Sequence, residues 1–206
     1  MAPKKSEERK EQILRAAEKL FARKGYPETT IVDIVKEAKI SEATLYEYFS
    51  SKEELLFSIP GGLTLHEQEQ LEFILAHSRG AAAKIRSFIY HYLWFWQTHP
   101  DYAAVAFLNL KQNRNFINTE AWKIIHDTVR ILLPDIKKGI EDGELKSGIN
   151  PELVLTMILS TTEYLVVSKV LSGKPEDLLD YVDPITDQLL GGIGSTRIRS
   201  GEYYSS

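Results

Sequence analysis

Residues 13–57 read ILRAAEKLFARKGYPETTIVDIVKEAKISEATLYEYFSSKEELLF, and the spacing of apolar residues in this stretch decides the fold. A first helix is expected over about residues 6–24. Ile13, Ala17, Leu20 and Phe21 recur on one face, and Gly25 follows as a residue able to end the helix in the left-handed region. Thr30 with Asp33 has the form of a capping box and opens a short helix whose apolar stripe is Ile31, Ile34, Val35 and Ala38. Ser41 can cap a second short helix with Leu45 and Phe49 inward, and Ser51 with Glu54 opens the next. Two short helices joined by a tight turn make a helix-turn-helix.

A helix that enters a DNA groove needs small or polar groups on one face and a clamp on the sugar-phosphate backbone at its ends. With Leu45 inward, the helical step puts Ala43 and Glu47 on the opposite side, flanked by Thr44 and Tyr46. Ala43 permits close approach and can touch a thymine methyl, while Glu42 and Glu47 can accept from cytosine N4. Thr44 and Tyr46 carry hydroxyls suited to phosphates. Lys52 lies at a helix start, where charge and free N–H groups attract an anion. Two glutamates on that face also repel phosphates unless they find a base donor.

These residues carry a resemblance. The Ile13-Leu14-x-Ala16-Ala17-x-x-Leu20-Phe21 run, Gly25-Tyr26, Thr29-Thr30-Ile31 with Asp33-Ile34, Ala38, Ser41, Thr44-Leu45-Tyr46, Tyr48-Phe49 and Ser51-Lys52-Glu53 before Leu55 and Leu56 resemble the DNA-binding domain of TetR-family transcriptional regulators across nearly its whole length. The resemblance implies a homodimer on a palindromic double-stranded DNA operator, repressing transcription until a small ligand binds the larger helical domain. It implies phosphate contacts at Thr30, Ser41, Thr44, Tyr46 and Lys52, and base contacts at Glu42, Ala43 and Glu47. Two departures stand out: Lys39 where the family often has Gly in the turn, and Glu42-Ala43 in place of a common Lys-Gly pair. Operator sequence and affinity are therefore not transferable from relatives.

Beyond residue 57 the apolar residues keep three- and four-residue spacing, with no sustained alternation of the kind a half-buried strand needs. The expectation is an all-α protein. An N-terminal three-helix helix-turn-helix domain (1–57) is followed by a larger helical ligand-binding and dimerisation domain (58–190) and a loose tail (191–206). Helices are expected over about 64–78, 81–98, 101–112, 118–141, 151–172 and 176–190, divided at Gly80, Pro100, Gly143 to Pro151 and Gly173 to Pro175. Pro60-Gly61-Gly62 reads as a joint between the domains, since Pro removes a helix hydrogen bond and the glycines loosen the backbone. The chain of 206 residues carries 25 Lys and Arg against 29 Asp and Glu. Residues 1–60 are neutral, with 11 of each sign, so the remainder carries the whole net charge of −4. Lys4, Lys5, Arg9 and Lys10 form a basic arm that can add phosphate or minor-groove contacts.

Eight of the 21 aromatic residues fall within 88–107: Phe88, Tyr90, Tyr92, Trp94, Phe95, Trp96, Tyr102 and Phe107. Singly each suits core packing; together they suggest an apolar cavity with polar tips, the make-up of a small-molecule site. Candidate ligand-binding residues are Tyr90, Trp94, Phe107, Asn109, Gln112, Asn113, His126 near Trp122, and Thr161 with Glu163. Residues 107–112 (FLNLKQ) and 139–148 (GIEDGELKSG) leading into Asn150-Pro151-Glu152 are similar to the fatty-acid-responsive members of the same family, whose ligand is a long-chain acyl-CoA. That likeness implies an elongated apolar effector. By position, the last two helices resemble the pair that forms the family's dimer interface, with Leu155, Ile158, Leu159, Leu165, Val166 and Leu189 as expected members.

Several classes are set aside. Cysteine is absent, which removes disulfides, thiolate metal sites and a Cys nucleophile and suits a reducing, cytoplasmic setting. The N-terminal MAPKKSEERKEQ continues in charge rather than in an apolar segment, unlike a secretory signal. Leu153 to Leu171 is long enough to span a bilayer, but Glu163 sits at its centre and Lys169 near its end, so no membrane role is expected. No enzyme is expected either. The five His lack metal-ligand spacing, Gln70 stands where a zinc-protease helix needs the second His after His66-Glu67, and no nucleophile elbow, phosphate-binding loop or dinucleotide fingerprint occurs. No cofactor or metal is called for. The rival reading is an all-helical protein-interaction or small-molecule-binding protein that does not bind DNA, which the acidic charge and Glu42 and Glu47 would suit.

Overall fold

The computed structural model describes residues 2–193, and their side chains except at 2–5 and 62–65. The side chains of Lys4 and Lys5 and the tail residues 194–206 lie outside the described residues. Among the described residues every element is helical. The first four helices are α1 (Ala2–Lys24), α2 (Ile31–Glu37), α3 (Glu42–Tyr46) and α4 (Lys52–Ser58). Ile13, Ala17, Leu20, Phe21, Ile34, Leu45, Phe49, Leu55 and Leu56 close a core between them, each at most 5% exposed. The apolar stripes thus face one another, and burial of these side chains, at about 1.5–3 kcal/mol each, holds helices too short to be stable alone.

The caps are made. Thr30 and Asp33 form the reciprocal capping box of α2, Ser41 Oγ accepts from Thr44 N at 3.1 Å, and Ser51 Oγ accepts from Glu54 N at 3.0 Å. Glu54 reaches back one residue further than a capping box does, accepting from Ser50 N at 2.7 Å. The turn between α2 and α3 closes as a Schellman motif, with Ile40 N donating to Val35 O and Lys39 N to Lys36 O. This motif needs its C′ residue in the left-handed region, and Lys39 occupies it at φ +52°.

The larger part contains α5 (Gly61–His77), α6 (Ala81–Thr98), α7 (Pro100–Val105), α8 (Glu120–Arg130), α9 (Leu133–Glu141), α10 (Pro151–Ser172) and α11 (Val182–Ile193). Helix α6 is the axis, packing against α5, α7, α9, α10 and α11 and burying Ile85, Phe88, Ile89, His91, Leu93 and Phe95. Gly139 lets α9 approach α6: a Cβ there would lie 2.3 Å from Ala81 Cβ. Helix α1 packs along α7, joining the two parts. In that seam Glu18 is held above the usual carboxylate range, by burial first and by nearby Asp101 second.

Several boundaries differ from expectation, α1 beginning at Ala2 and α5 at Gly61. The segment 118–141 splits at Ile131-Leu132, because Pro134 lacks an N–H and its ring excludes the preceding helical turn. Helix α7 passes into a π-helical turn at Ala106–Leu110, where Lys111 N donates to Ala106 O. Helix α11 begins at Val182 rather than 176, after a 3-10 turn at Leu179–Tyr181. Gln97 of α6 pins the preceding loop, accepting from Leu178 N at 2.6 Å and donating to Asp177 at 2.9 Å. Gly191 and Gly192 belong to α11, which runs to Ile193 past the expected start of the tail. At the expected joint, Ile59 and Pro60 keep right-handed helical dihedrals, and the Pro interrupts the hydrogen-bond ladder without turning the chain away from helical geometry.

Lys39→Gly relieves the left-handed strain at a smaller entropic cost, and should raise the unfolding free energy by roughly 0.5–1 kcal/mol. Urea denaturation checks it; an unchanged or lower midpoint would mean that the Lys39 side chain contributes more than its backbone conformation costs.

Candidate nucleic-acid interface and effector cavity

Helix α3 presents an exposed face made of Glu42, Ala43, Tyr46 and Glu47, with Ser41 exposed at its start and Leu45 fully buried beneath. Thr44 is half-buried, its hydroxyl 2.9 Å from that of Ser41. Thr30 is exposed at the start of α2, its hydroxyl accepting from Asp33 N at 3.1 Å. Six of the eight residues expected at the DNA are exposed and Thr44 is half-buried. The eighth, Lys52, is used internally. Its Nζ donates to Tyr26 O and to Thr29 O, both at 2.8 Å, and lies 4.3 Å from the centre of the Tyr26 ring. Lys52 thereby fastens the α1–α2 loop to the start of α4.

That loop is also held by the larger domain. Asn109, in the π turn, accepts from Tyr26 N at 2.8 Å while its amide donates to Ala104 O at 3.3 Å. Glu53 of α4 accepts from Asn113 at 3.1 Å and Asn115 at 3.2 Å, and Phe57 of α4 packs on Phe116 with ring centres 5.4 Å apart. Asn109 and Asn113, expected to orient a ligand, instead join the two domains.

Between α5, α6 and α8 lies a cavity of about 70 Å³ lined by Glu67, Leu71, Phe88, His91, Tyr92, Phe95, Trp96, Tyr102, Ile125, Thr128 and Val129. Its inner wall is the Phe88, Tyr92 and Phe95 stripe of α6. Glu67 Oε2 stands 3.1 Å from His91 Nε2, but out of hydrogen-bond alignment, and is without a hydrogen-bond partner. Burial raises the Glu67 carboxyl and lowers the His91 imidazole, so both lean towards neutrality. The Tyr92 hydroxyl, pushed well above its usual range by burial and then by the charge of Glu163, donates to Glu163 at 3.2 Å; Lys111 pairs with the same carboxylate.

The other expected ligand residues lie elsewhere. Tyr90, Gln112 and His126 are exposed, and Trp94 is half-buried outside the lining. Phe107 is buried behind the wall, its ring 4.8 Å from Trp96. Thr161 sits on an outward face with Tyr164, Leu165, Tyr181 and Ile185. Of the expected interface residues, Leu155, Ile158 and Val166 are at most 3% exposed and Leu189 is buried at 8%, so they serve the core; Leu159 and Leu165 are half-buried. Phe88, Tyr92 and Phe95 recur at four- and three-residue spacing, which marks one face of α6. Glu67 gave no signal beyond a failed metal motif, because only the fold shows that a glutamate on α5 turns inward.

A helix-turn-helix with an exposed recognition face, tied to a larger helical domain around an aromatic cavity, has the architecture of a two-domain DNA-binding regulator. The comparisons give the family. Residues 13–59 match the family model for bacterial regulatory proteins of the tetR family, and residues 67–192 match that for the YsiA-like protein, C-terminal region. A curated relative, the fatty acid metabolism regulator protein of Bacillus subtilis (strain 168), is 26% identical over 88% of this chain and 94% of its own. Among solved structures, the fatty acid degradation regulator FadR of Bacillus halodurans superposes with a TM-score of 0.80 at 23% identity, covering 89% of this chain and 95% of that one. FadR of Bacillus subtilis in complex with stearoyl-CoA gives 0.75 at 28%, covering 89% and 98%. The chain belongs to the TetR family of transcriptional regulators. It is a DNA-binding regulator and not an enzyme, which decides against a helical protein with no DNA partner. Helix α10, though long and apolar enough to cross a membrane, packs against α6, α7, α9 and α11.

Lys52→Met tests how that side chain acts. Loss of its two internal hydrogen bonds should lower the thermal midpoint and weaken binding to the chain's own upstream DNA without altering the salt dependence. A phosphate contact would instead reduce the salt slope by about 1 per subunit and leave the midpoint in place.

Proposed function

We propose that the chain acts in the cytoplasm as a homodimeric repressor. Two copies of the N-terminal domain hold a palindromic operator until an elongated apolar effector binds, a long-chain acyl-CoA being the candidate. In the complex, Thr30, Ser41, Thr44 and Tyr46 meet phosphates while Glu42, Ala43 and Glu47 face base edges. The observation that carries this reading is the continuous set of contacts from the cavity to the DNA domain. Trp96 lines the cavity and packs on Phe107, two residues before Asn109, whose side chain holds Tyr26. On the other side, Trp122 of α8 packs on Phe116, which packs on Phe57 of α4. The stearoyl-CoA bound to the Bacillus subtilis FadR supports the choice of ligand class.

The cavity itself is smaller than the 300–1,000 Å³ usual for a ligand site. Helix α8 supplies the wall that can yield: none of its residues is buried, whereas α5 and α6 contribute deeply buried side chains. An acyl chain entering there displaces α8, and the Trp122–Phe116–Phe57 contacts carry the displacement to α4. The dimer face is the outward stripe Leu153, Met157, Thr161 and Tyr164 of α10 with Tyr181 and Ile185 beside α11. Leu153, Met157, Tyr164 and Tyr181 there are large apolar side chains more than a third exposed.

An electrophoretic shift on upstream DNA at several salt concentrations, with and without stearoyl-CoA, tests the proposal. A salt-sensitive specific complex that weakens with the thioester is expected. No specific complex would sink the operator reading, and an unaffected one the acyl-CoA reading. Phe116→Ala should keep operator affinity yet lose most of the stearoyl-CoA effect, which for coupling of this kind is about 5–150-fold in affinity. Full release by the variant would place the coupling elsewhere.

A further inference from the structure

Arg114 is an exposed cation of the larger domain and makes no ion pair among the described residues. It stands at the apex of a tight turn. Asn115 N donates to Asn113 Oδ1 at 2.9 Å, and Phe116 N donates to Asn113 O at 3.1 Å. The side-chain amides on either side of Arg114 both donate to Glu53 Oε1, from Asn113 at 3.1 Å and from Asn115 at 3.2 Å. The turn is thereby fixed to the second residue of α4.

The position of that turn follows from neighbouring bonds. Lys52, one residue before Glu53, holds Tyr26 O and Thr29 O, and Asn109 holds Tyr26 N. Thr29 adjoins Thr30, the exposed cap of α2. In a helix-turn-helix the first helix crosses the sugar-phosphate backbone while the second enters the groove, so the start of α2 flanks the groove at a phosphate strand. The turn that carries Arg114 lies beside this end of α2. Two cations of the DNA-binding domain at the same end are already engaged: Lys24 pairs with Asp33 at 3.2 Å, and Lys52 with its two carbonyls.

We propose that Arg114 contacts a DNA phosphate beside the recognition groove, so that the larger domain takes part in DNA binding directly. A guanidinium suits this role, since its planar set of donors matches a phosphate and stays charged at any physiological pH. The contact rests on DNA binding by the helix-turn-helix and not on the identity of the effector. Its energetic signature is independent of sequence, because a phosphate contact positions the protein without reading bases.

The test uses the full chain on its upstream DNA, with affinity measured at several salt concentrations. Arg114→Gln should weaken binding and reduce the salt slope by about 1 per subunit while leaving the thermal midpoint in place, and Arg114→Lys should restore the slope. Where the upstream fragment gives no sequence-specific complex, a random duplex at low salt serves for the same measurement; that result sinks the operator reading and leaves this one to be decided by the slopes. Because the chain contains no cysteine, Arg114→Cys gives a single attachment point for iron-EDTA, and radical cutting of the DNA backbone at the flank of the bound site is expected. An unchanged salt slope, a lower midpoint with the slope retained, or a bound complex without cutting would each overturn the proposal.

Discussion

A recognition helix of five residues cannot hold its own shape in water, because nucleating a helix fixes several residues for a single hydrogen bond. Everything that orients α3 must come from outside it. Leu45 and Phe49 supply the packing, the Schellman turn at Lys39 and the Ser41 cap set its entry, and Ser51 opens the helix that follows. The small domain is therefore a frame for one exposed face. Any displacement of α1 or α4 relative to each other passes directly into the position of that face, since α3 has no independent stability with which to resist.

The same dependence explains why the seam between the domains is polar and directional. Apolar contacts alone would let α4 slide over the larger domain, whereas Tyr26 N, Glu53 and the amides of Asn109, Asn113 and Asn115 fix its register. All three asparagines come from one short stretch, where α7 loosens into a π turn and then into a loop. Asn109, within the π turn, donates to Ala104 O while holding Tyr26. The asparagines that join the two domains thus sit on irregular backbone rather than within a regular helix, where small shifts cost less.

The helix-turn-helix was legible because its signals are local. Caps, apolar spacing and Gly25 act within a few residues, and the packing that follows agrees with them. The central aromatic helix was legible in part: the Phe88, Tyr92 and Phe95 spacing marks an inward face. What was not legible depends on contacts distant in sequence. Asn109 and Asn113 have the same chemistry whether they meet a ligand or residues 26 and 53, and only the chain path decides. Lys52 likewise has the charge of a phosphate clamp, but its ammonium is satisfied by two carbonyls that sequence order does not bring near it. On α10, Leu155, Ile158 and Val166 look like interface residues by composition. Their phase on the helix turns them inward and leaves Leu153, Met157 and Tyr164 outside.

The acidic balance of the chain and its DNA-binding domain are reconciled by the same separation. Residues 1–60 are neutral and the excess of acid lies in the larger helical domain, so binding to DNA depends on local geometry rather than on overall charge. A binding surface without large electrostatic excess is also one whose hold is easily weakened by a small misalignment, because few strong contacts compensate for those lost. Under the proposed function, modest movement of α4 is then sufficient for release. In the proposed mechanism, an effector that first displaces α8 to enlarge a 70 Å³ cavity spends part of its binding free energy on that movement. The differential affinity between the closed and open forms is then the quantity that sets how completely the operator is freed.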